Sequence, residues 1–333
     1  HDALPIWGTE SDKEHECPPP DLEGERRKAE NKVPADKNAS VPQHIGILRR
    51  VYRKARRTAK AVSKHFKKIS PLYVPVFEGE LLKGRTAFIT GGTSGIGLSI
   101  AETFLKNGAT VVITGRSETR VKKTCAELEG KGFGNKVFGI EMDSRNAGTF
   151  ASCVEKARIM CGGAIDILVN NAGVGKGGFG SMTEEDYDAV LDTNLKGAYF
   201  LSQVFALYWK DAHILGNILN VASSSSLRPA VTPYTLSKWG IRGLTLGLAK
   251  TLIPYGIVVN AIAPGPTATP MLTDCEDDLS LQTSPTGRYA AAQEIANLAA
   301  VLVSDMGKMV VGDVLYATGG AGVITFDDMK YGF

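Results

Sequence analysis

The sequence is poor in cysteine and has no long apolar segment. Its 333 residues include five cysteines, an odd number, and no two of them form a Cys-x-x-Cys pair. This argues against a disulfide framework and a thiolate metal site, so we predict no metal and a cytoplasmic protein with unpaired thiols. No apolar run reaches the roughly 18 residues of a membrane-spanning helix. The cysteines are Cys17, Cys125, Cys153, Cys161 and Cys275.

The net charge of +3 conceals one strongly basic segment. Residues 45–69 contain ten Lys or Arg and no acid, which leaves 28 basic and 35 acidic side chains in the remainder. Apolar side chains recur there every three or four residues, which predicts an amphipathic helix over 45–70. Such a helix suits an anionic surface, either a peripheral membrane contact or an acidic protein. The alternative is docking of its thin apolar stripe on its own subunit; nucleic acid is a weaker interpretation.

The segments on either side of this helix are predicted to lack a core of their own. Residues 1–44 are polar and proline-containing, with too little apolar side chain to offset the entropy of ordering, and we expect disorder there. Residues 71–81 are interpreted as a linker. The chain begins with His1, and residues 1–6 match the translation of a common sequencing adapter. This suggests an artefactual extension and a native start further downstream.

From residue 82 to residue 333 the pattern predicts a single α/β domain. Short β-branched runs alternate with helical stretches, and this alternation is typical of a parallel sheet covered on both faces. We therefore predict a Rossmann-type, doubly wound sheet of about seven strands. The strands are predicted at 86–90, 110–114, 137–141, 167–170, 217–221, 258–262 and 314–317, and the helices at 96–107, 118–130, 147–160, 183–206, 233–252 and 292–303.

A glycine-rich turn follows the first predicted strand and opens a helix. Its glycines permit a tight turn and let backbone N–H groups approach a pyrophosphate at the positive end of that helix. The spacing is G-x-x-x-G-x-G and differs from the usual G-x-G-x-x-G fingerprint. We predict a nucleotide site that includes Gly91, Thr93, Ser94, Gly95, Ile96 and Gly97.

The end of the second strand favours NADP(H) over NAD(H). An NAD site usually carries an acid about 20 residues after the glycines, where it accepts hydrogen bonds from the ribose 2′-hydroxyl. Here Gly115 stands at that place, and Arg116 and Ser117 follow. A carboxylate would repel a 2′-phosphate, whereas a guanidinium binds it in bidentate fashion. The alternative is that Arg116 is a solvated loop residue.

Four further motifs occur in order along the chain. They are Asn170-Asn171-Ala172-Gly173 after the fourth strand, Asn194, the serine cluster 223–226, and Tyr234-Thr235-Leu236-Ser237-Lys238. Together with the glycine turn, this set resembles the short-chain dehydrogenase/reductase family over residues 82–322. The resemblance implies the doubly wound fold, an NAD(P)-dependent oxidoreductase, and a homodimer or homotetramer formed through helices near 188–206 and 234–252.

The chemistry of carbonyl reduction explains the Tyr-x-x-x-Lys motif. Hydride transfer to a carbonyl requires a proton for the developing alkoxide, and a tyrosine of ordinary pKa, about 10, exchanges protons poorly near neutrality. Lys238 lies one helical turn from Tyr234, and its positive charge favours the phenolate. By resemblance, Lys238 also holds the nicotinamide ribose. Alone, this spacing is typical of an ordinary surface pair.

The resemblance also calls for a serine that orients the substrate carbonyl. Alignment of the strand end favours Ser223, eleven residues before Tyr234, with Ser224 as the alternative. The family's usual separation is nearer thirteen and would reach Val221, which has no hydroxyl. The sequence leaves the choice open.

The remaining site residues are implied by resemblance. Asn194 would bind, through its backbone carbonyl, a water of the proton relay, and Asp143 would contact the adenine. Asn171, Ala172 and Gly173 would line the cofactor. The nicotinamide side would be formed by Pro264, Gly265, Thr267 and Thr269.

These observations predict an NADP(H)-dependent enzyme that reduces a ketone or oxidises a secondary alcohol. The alternative is a cofactor-binding scaffold or regulator on the same fold, which loss of a catalytic residue would have marked; none is missing. The partner is a small-molecule carbonyl or alcohol whose identity the sequence does not give. Acidic residues at 274–278 would disfavour anionic substrates if they face the pocket.

Overall fold

The structure is a computed structural model that describes residues 79–272 and 279–325. The predicted disordered segment 1–44, the basic helix 45–70, most of the linker 71–81 and the acidic cluster 274–278 lie outside the described residues. Within the described part of the chain, no helix has the length and apolarity that crossing a membrane requires.

The described residues form nine strands. They are β1 Thr86–Ile89, β2 Thr110–Gly115, β3 Val137–Glu141, β4 Ile167–Asn170, β5 Asn217–Val221, β6 Val258–Pro264, β7 Thr267–Ala268, β8 Ala290–Ala291 and β9 Val314–Ala317. Seven of them form one parallel sheet in the order β3-β2-β1-β4-β5-β6-β9. The other two, β7 and β8, form a separate parallel pair that follows β6 and precedes the last helix.

Helices connect successive strands of the large sheet. They are α1 Gly95–Lys106, α2 Glu118–Leu128, α3 Phe150–Cys161, α4 Glu184–Leu191, α5 Gly197–Asp211, α6 Pro233–Leu252 and α7 Ala292–Val303. Thr232 caps α6, since its hydroxyl accepts a hydrogen bond from the Thr235 amide at 3.2 Å, and Pro233 stands in the first turn, where its missing N–H costs nothing.

The strands are mainly apolar, as expected of a sheet that helices cover on both faces. Alternate residues of β1 point to opposite sides, so Ile89 belongs to one core with Phe104 of α1, while Phe88 belongs to the other. On that second face Phe88 contacts Phe205 of α5, with ring centroids 5.4 Å apart. The prediction of a doubly wound parallel sheet of seven strands is confirmed.

The strand order fixes where a ligand can bind. After β3 the chain crosses back over β2 and β1 to place β4 beside β1, so the connections leave β1 and β4 toward opposite faces of the sheet. A crevice opens outside the carboxyl ends of the strands at such a point. The glycine turn after β1 and the Asn171 segment after β4 meet there.

The predicted helix 183–206 is helical along its described length and contains one π-helical turn. This turn, at Asp192–Lys196, lies between α4 and α5. At its end Gly197 lies so close to Ser144 that a Cβ on Gly197 would be 2.3 Å from the Ser144 carbonyl oxygen. The π-helical turn therefore accompanies a close tertiary approach, which the periodicity of one helix does not encode.

Candidate active site

A cleft of about 960 Å³ lies along the carboxyl edge of the sheet. Segments that follow β1, β2, β4, β5 and β6 all contribute to its walls. The large majority of the residues predicted to bind cofactor or substrate line this one cleft. Asp143 and Asn194 are not among its lining residues.

The glycine turn is held in shape by Asn171. Its side-chain amide donates to the backbone oxygens of Thr90 at 2.9 Å and Gly91 at 3.1 Å. Gly91 has a φ of +63°, which favours glycine, and a Cβ on Gly97 would lie 2.3 Å from both the Asn171 amide nitrogen and the Gly91 oxygen. Asn171 thus stabilises the turn from the neighbouring strand.

The first turn of α1 is suited to an anion. Ser94 stands at the N-cap position but makes no side-chain hydrogen bond to the first turn, which also contains no acid. Gly95, Ile96 and Gly97 of this turn line the cleft. Free helix N-terminal amides and the helix dipole attract phosphate, so these residues fit the pyrophosphate of a dinucleotide.

The end of β2 is crowded at the position where an NAD site carries its acidic side chain. A Cβ on Gly115 would lie 3.0 Å from Thr93 and 3.2 Å from Val121, so a larger residue requires a shift. Arg116 is exposed and lines the cleft. The Ser117 hydroxyl lines it as well and accepts from the Arg120 amide at 3.3 Å, which caps α2.

Arg120 is a cleft residue that the sequence analysis missed. It lines the cleft together with Arg116, from the first turn of α2. The signal was present, because the two arginines are four residues apart in the segment that opens this helix. A second guanidinium therefore stands at the end of the cleft where a 2′-phosphate is expected.

Tyr234, Lys238 and Ser223 come together at the floor of the cleft. The Tyr234 hydroxyl is hydrogen-bonded to Ser223, and desolvation outweighs this bond and raises the pKa of Tyr234 above its ordinary value. The Lys238 ammonium lies 5.6 Å from the centroid of the Tyr234 ring and donates to the Val221 carbonyl at 2.8 Å. Burial lowers the pKa of Lys238 to about 8.

The serines after β5 have distinct partners. Ser223 accepts from the Ser225 amide at 3.1 Å, in addition to its bond with Tyr234. Ser224 accepts from the Arg228 guanidinium at 2.6 Å. The hydroxyl of Ser226 donates to the Ser223 backbone oxygen at 2.7 Å. Of the two serines that the sequence left open, Ser223 is the one that contacts Tyr234.

Asn194 lies in the π-helical turn, buried behind the cleft. Its side chain accepts from the Val174 amide at 2.8 Å and donates to the Val174 carbonyl at 2.9 Å and to Ser237 at 3.1 Å. A Cβ on Gly173 would lie 3.5 Å from the Asn194 side-chain oxygen and 3.8 Å from the Lys238 ammonium. Asn194 thus anchors the segment after β4 to the helix that carries Tyr234 and Lys238.

The Asp143 side chain is engaged by its neighbour Arg145. Their ion pair spans 2.6 Å, and this hydrogen bond holds the pKa of Asp143 below its usual value. Met142 and Ser144, on either side, line the cleft.

The segment after β6 closes the opposite wall. Pro264, Gly265, Thr267 and Thr269 line the cleft together with Ala172 and Gly173 across from them. A Cβ on Gly265 would lie 2.7 Å from the Thr318 oxygen, so only glycine fits. Thr269 reaches the glycine turn, since a Cβ on Gly95 would be 3.3 Å from its methyl group.

A buried polar network beneath the cleft was also missed. The Asn170 amide donates to Ser202 and to Asn220, both at 2.9 Å, and Asn220 in turn donates to Thr245 at 2.9 Å. Asn170 and Asn220 are paired neighbours in β4 and β5. The sequence did contain a signal for this network, namely two asparagines at equivalent positions near the ends of two predicted strands. The network joins β4 and β5 to α5 and α6.

The strand order, the uncapped helix at the glycine turn and the Tyr–Lys–Ser arrangement define a Rossmann-type, dinucleotide-dependent oxidoreductase. A family model described as short chain dehydrogenase matches residues 85–280. The (2S)-[(R)-hydroxy(phenyl)methyl]succinyl-CoA dehydrogenase subunit BbsD of Thauera aromatica is 37% identical over 245 residues, which cover 72% of this chain and 97% of that protein.

Two other similarities cover the same share of the chain. The 3-oxoacyl-[acyl-carrier-protein] reductase FabG of Aquifex aeolicus is 34% identical, covering 72% of this chain and 98% of that enzyme. A short chain dehydrogenase from Burkholderia cenocepacia, solved in complex with NADP, is 32% identical with a TM-score of 0.64, covering 72% of this chain and 98% of the other. The chain belongs to the short-chain dehydrogenase family and is an NAD(P)-dependent oxidoreductase.

Proposed function

We propose that the protein reduces a ketone with NADPH, or oxidises the corresponding secondary alcohol with NADP⁺, and that Tyr234 exchanges the proton. The observation that carries the proposal is the hydrogen bond between Tyr234 and Ser223 beside the buried Lys238. A scaffold that only binds nucleotide has no need for this trio. The nicotinamide, when bound, supplies or accepts the hydride.

The protonation of Tyr234 suits the reductive direction. Desolvation raises its pKa, so the phenol carries its proton at neutral pH and can donate it to the carbonyl oxygen as the carbon accepts hydride. The resulting phenolate is stabilised by the Ser223 hydroxyl and by the Lys238 ammonium, 5.6 Å from the ring centroid. Lys238 keeps its proton, and its positive charge near the ring favours the phenolate once Tyr234 has given up its proton.

Ser223 and Asn194 are assigned supporting roles. Because Ser223 already contacts the Tyr234 hydroxyl, a carbonyl oxygen that accepts from both groups would be fixed in position and polarised. Asn194 would hold, through its backbone carbonyl, the water that returns a proton to Lys238. Its π-helical turn supports this role, since such turns are frequent at functional sites.

We infer a preference for NADP(H) over NAD(H). The crowding of Gly115 against Thr93 disfavours the carboxylate that an NAD site uses, and Arg116 and Arg120 offer two guanidinium groups to a 2′-phosphate. The NADP complex of the Burkholderia cenocepacia relative is consistent with this preference. The proposed adenine contact of Asp143 would form beside its ion pair with Arg145.

The experiment is a screen of the full chain against carbonyl classes with NADPH deuterated at the transferable position of the nicotinamide. The proposal expects oxidation of NADPH with at least one class and deuterium on the carbinol carbon of the product. NADPH and NADH should bind in either case, as measured by fluorescence titration. Binding without turnover in any class would support the scaffold interpretation and overturn the enzymatic one.

We further infer that the protein forms a homodimer or homotetramer through α5 and α6. These helices expose large apolar side chains, including Tyr199 at 47%, Leu207 at 53% and Leu246 at 52% exposure. Sedimentation equilibrium should give a mass at least twice that of one chain, and Leu246→Glu should lower it. A monomeric wild-type protein at micromolar concentration would contradict the inference.

A further inference from the structure

We propose, on the basis of the function above, that the substrate is a neutral ketone with an extended apolar group, either aliphatic or ring-shaped. Large apolar side chains are exposed to solvent and line the cleft. They are Phe179 at 58%, Val231 at 40%, Met271 at 55% and Leu272 at 55% exposure. Exposed apolar surface that collects in one groove marks a ligand site.

Three separate loops supply this apolar surface, and each is tied to a catalytic element. Phe179 belongs to the loop after β4, in which a Cβ on Gly175 would lie 3.8 Å from the Tyr234 ring. Val231 stands three residues before Tyr234 in the chain. Met271 and Leu272 follow Thr269, which contacts the glycine turn. Phe179 and Val231 therefore belong to segments beside the proton donor, and Met271 and Leu272 belong to the segment after Thr269.

The charged groups of this region are already engaged within the protein. Among the described residues that line the cleft there is no carboxylate. The Lys238 ammonium donates to the Val221 carbonyl, and Arg228 is 2% exposed with its guanidinium bonded to Ser224. Thr232 serves as the α6 cap. A sugar or polyol that lies against the four apolar side chains would lose hydrogen bonds to water without regaining them from those side chains, which costs affinity.

The test is a homologous series of methyl ketones, from butanone to decanone, reduced by the full chain with NADPH. Each methylene that leaves water should raise kcat/KM by up to about fourfold until the groove is filled. A 3-oxoacyl thioester, a steroid ketone and a ketohexose are added to the series. The thioester and the steroid ketone both carry an apolar group, and the better of the two shows whether that group is aliphatic or ring-shaped. The ketohexose should be the poorest substrate.

Two substitutions test whether Phe179 contributes to the dependence of kcat/KM on chain length. Phe179→Ser should lower kcat/KM for decanone by at least about fivefold, since it removes several buried carbons, and should leave butanone within about twofold. The control is Ile159→Ser, which alters a side chain that is 73% exposed on α3 and does not line the cleft. It should leave the whole series unchanged.

The outcomes separate this inference from the proposed function. A flat series, or a ketohexose preferred to decanone, would overturn the apolar substrate while leaving ketone reduction intact. If no carbonyl is reduced, the proposed function fails, and calorimetry of decanone with the NADP⁺ complex still tests the groove. Binding with a negative heat-capacity change that grows with chain length supports the inference, and absence of binding refutes it.

Discussion

Replacement of Lys238 by methionine should stabilise the ligand-free protein near neutral pH while it abolishes catalysis. The ammonium is 5% exposed, and burial lowers its pKa from 10.5 to about 8. At about 1.4 kcal/mol per pH unit, this corresponds to roughly 3 kcal/mol that the folded state spends to keep Lys238 charged. Lys238→Met removes this cost but leaves the Val221 carbonyl without its donor, a loss of about 1–3 kcal/mol.

The pH dependence of the free energy of unfolding distinguishes the effect of the buried charge from a simple loss of packing. Below pH 8, Lys238 is protonated in both states and the full cost is present. Between about 8 and 10.5 the unfolded chain keeps a proton that the folded chain has released, so the stability of the wild type rises with pH. The methionine variant lacks this contribution.

The assay is urea unfolding followed by circular dichroism, from about pH 7 to about pH 10. At pH 7 the free energy of unfolding of the variant should exceed that of the wild type by about 1 kcal/mol. Between pH 7 and pH 10 the free energy of unfolding of the wild type should rise by roughly 2 kcal/mol relative to the variant. Lys250→Met, on an exposed position of the same helix, should show no such change. A destabilised Lys238→Met variant whose difference from wild type is independent of pH would refute the reasoning.

Three further substitutions test the assigned roles. Arg116→Ala should raise the Kd of NADPH by about tenfold and that of NADH by less than about twofold, because a charge-assisted hydrogen bond to phosphate is lost at an exposed site; fluorescence titration measures both. Ser223→Ala should lower kcat by about a hundredfold, and it should raise the pKa of Tyr234 further, because its hydrogen bond lowers that pKa; pH–rate profiles report this. Gly97→Ala should abolish cofactor binding, because its Cβ would lie 2.3 Å from Gly91 and Asn171.

Each substitution has a matched control. Lys123→Ala removes an exposed cation of α2 that does not line the cleft, and equal losses for Lys123 and Arg116 variants would count against the NADP assignment. Ser224→Ala should cost far less than Ser223→Ala; the reverse order would make Ser224 the catalytic serine. Gly243→Ala, where a Cβ meets nothing within 4 Å, should be harmless, and its failure to fold would undermine the argument from space at Gly97.

The fold was predictable because local and global signals agree. The inner strands of the large sheet are mainly apolar runs that are buried on both faces, and segments of helical composition separate the strands along the chain. The cleft followed from the same pattern, since glycines and asparagines at strand ends gather at one edge of a parallel sheet.

Other features depend on contacts between distant segments. The π-helical turn at Asp192–Lys196 ends where Gly197 approaches Ser144. The spacing of apolar residues along a helix does not predict that approach. The serine that contacts Tyr234 could not be chosen from sequence, because the separation of eleven residues departs from the family's usual spacing. A short helical turn at Ser224–Leu227 sets that register in space.

The sequence predicted the effect of the Lys238 charge on Tyr234 but not the effect of burial on the two side chains. The lysine one helical turn away was expected to favour the Tyr234 phenolate. In the structure, desolvation is the largest influence on both groups; it raises the pKa of Tyr234 and lowers that of Lys238. Burial of this kind is a tertiary property, whereas the i, i+4 spacing is local.

The central claim is that Tyr234 exchanges the proton in an NADP(H)-dependent reduction. The most direct measurement compares the reduction of one ketone by wild type and Tyr234→Phe at saturating NADPH, with NADPH binding measured on the same samples. The account predicts a loss in kcat of about 10²–10⁴-fold with the NADPH Kd within about threefold, and no effect of Tyr255→Phe, at an exposed position outside the cleft. A Tyr234→Phe variant that retains activity within tenfold of wild type would contradict it.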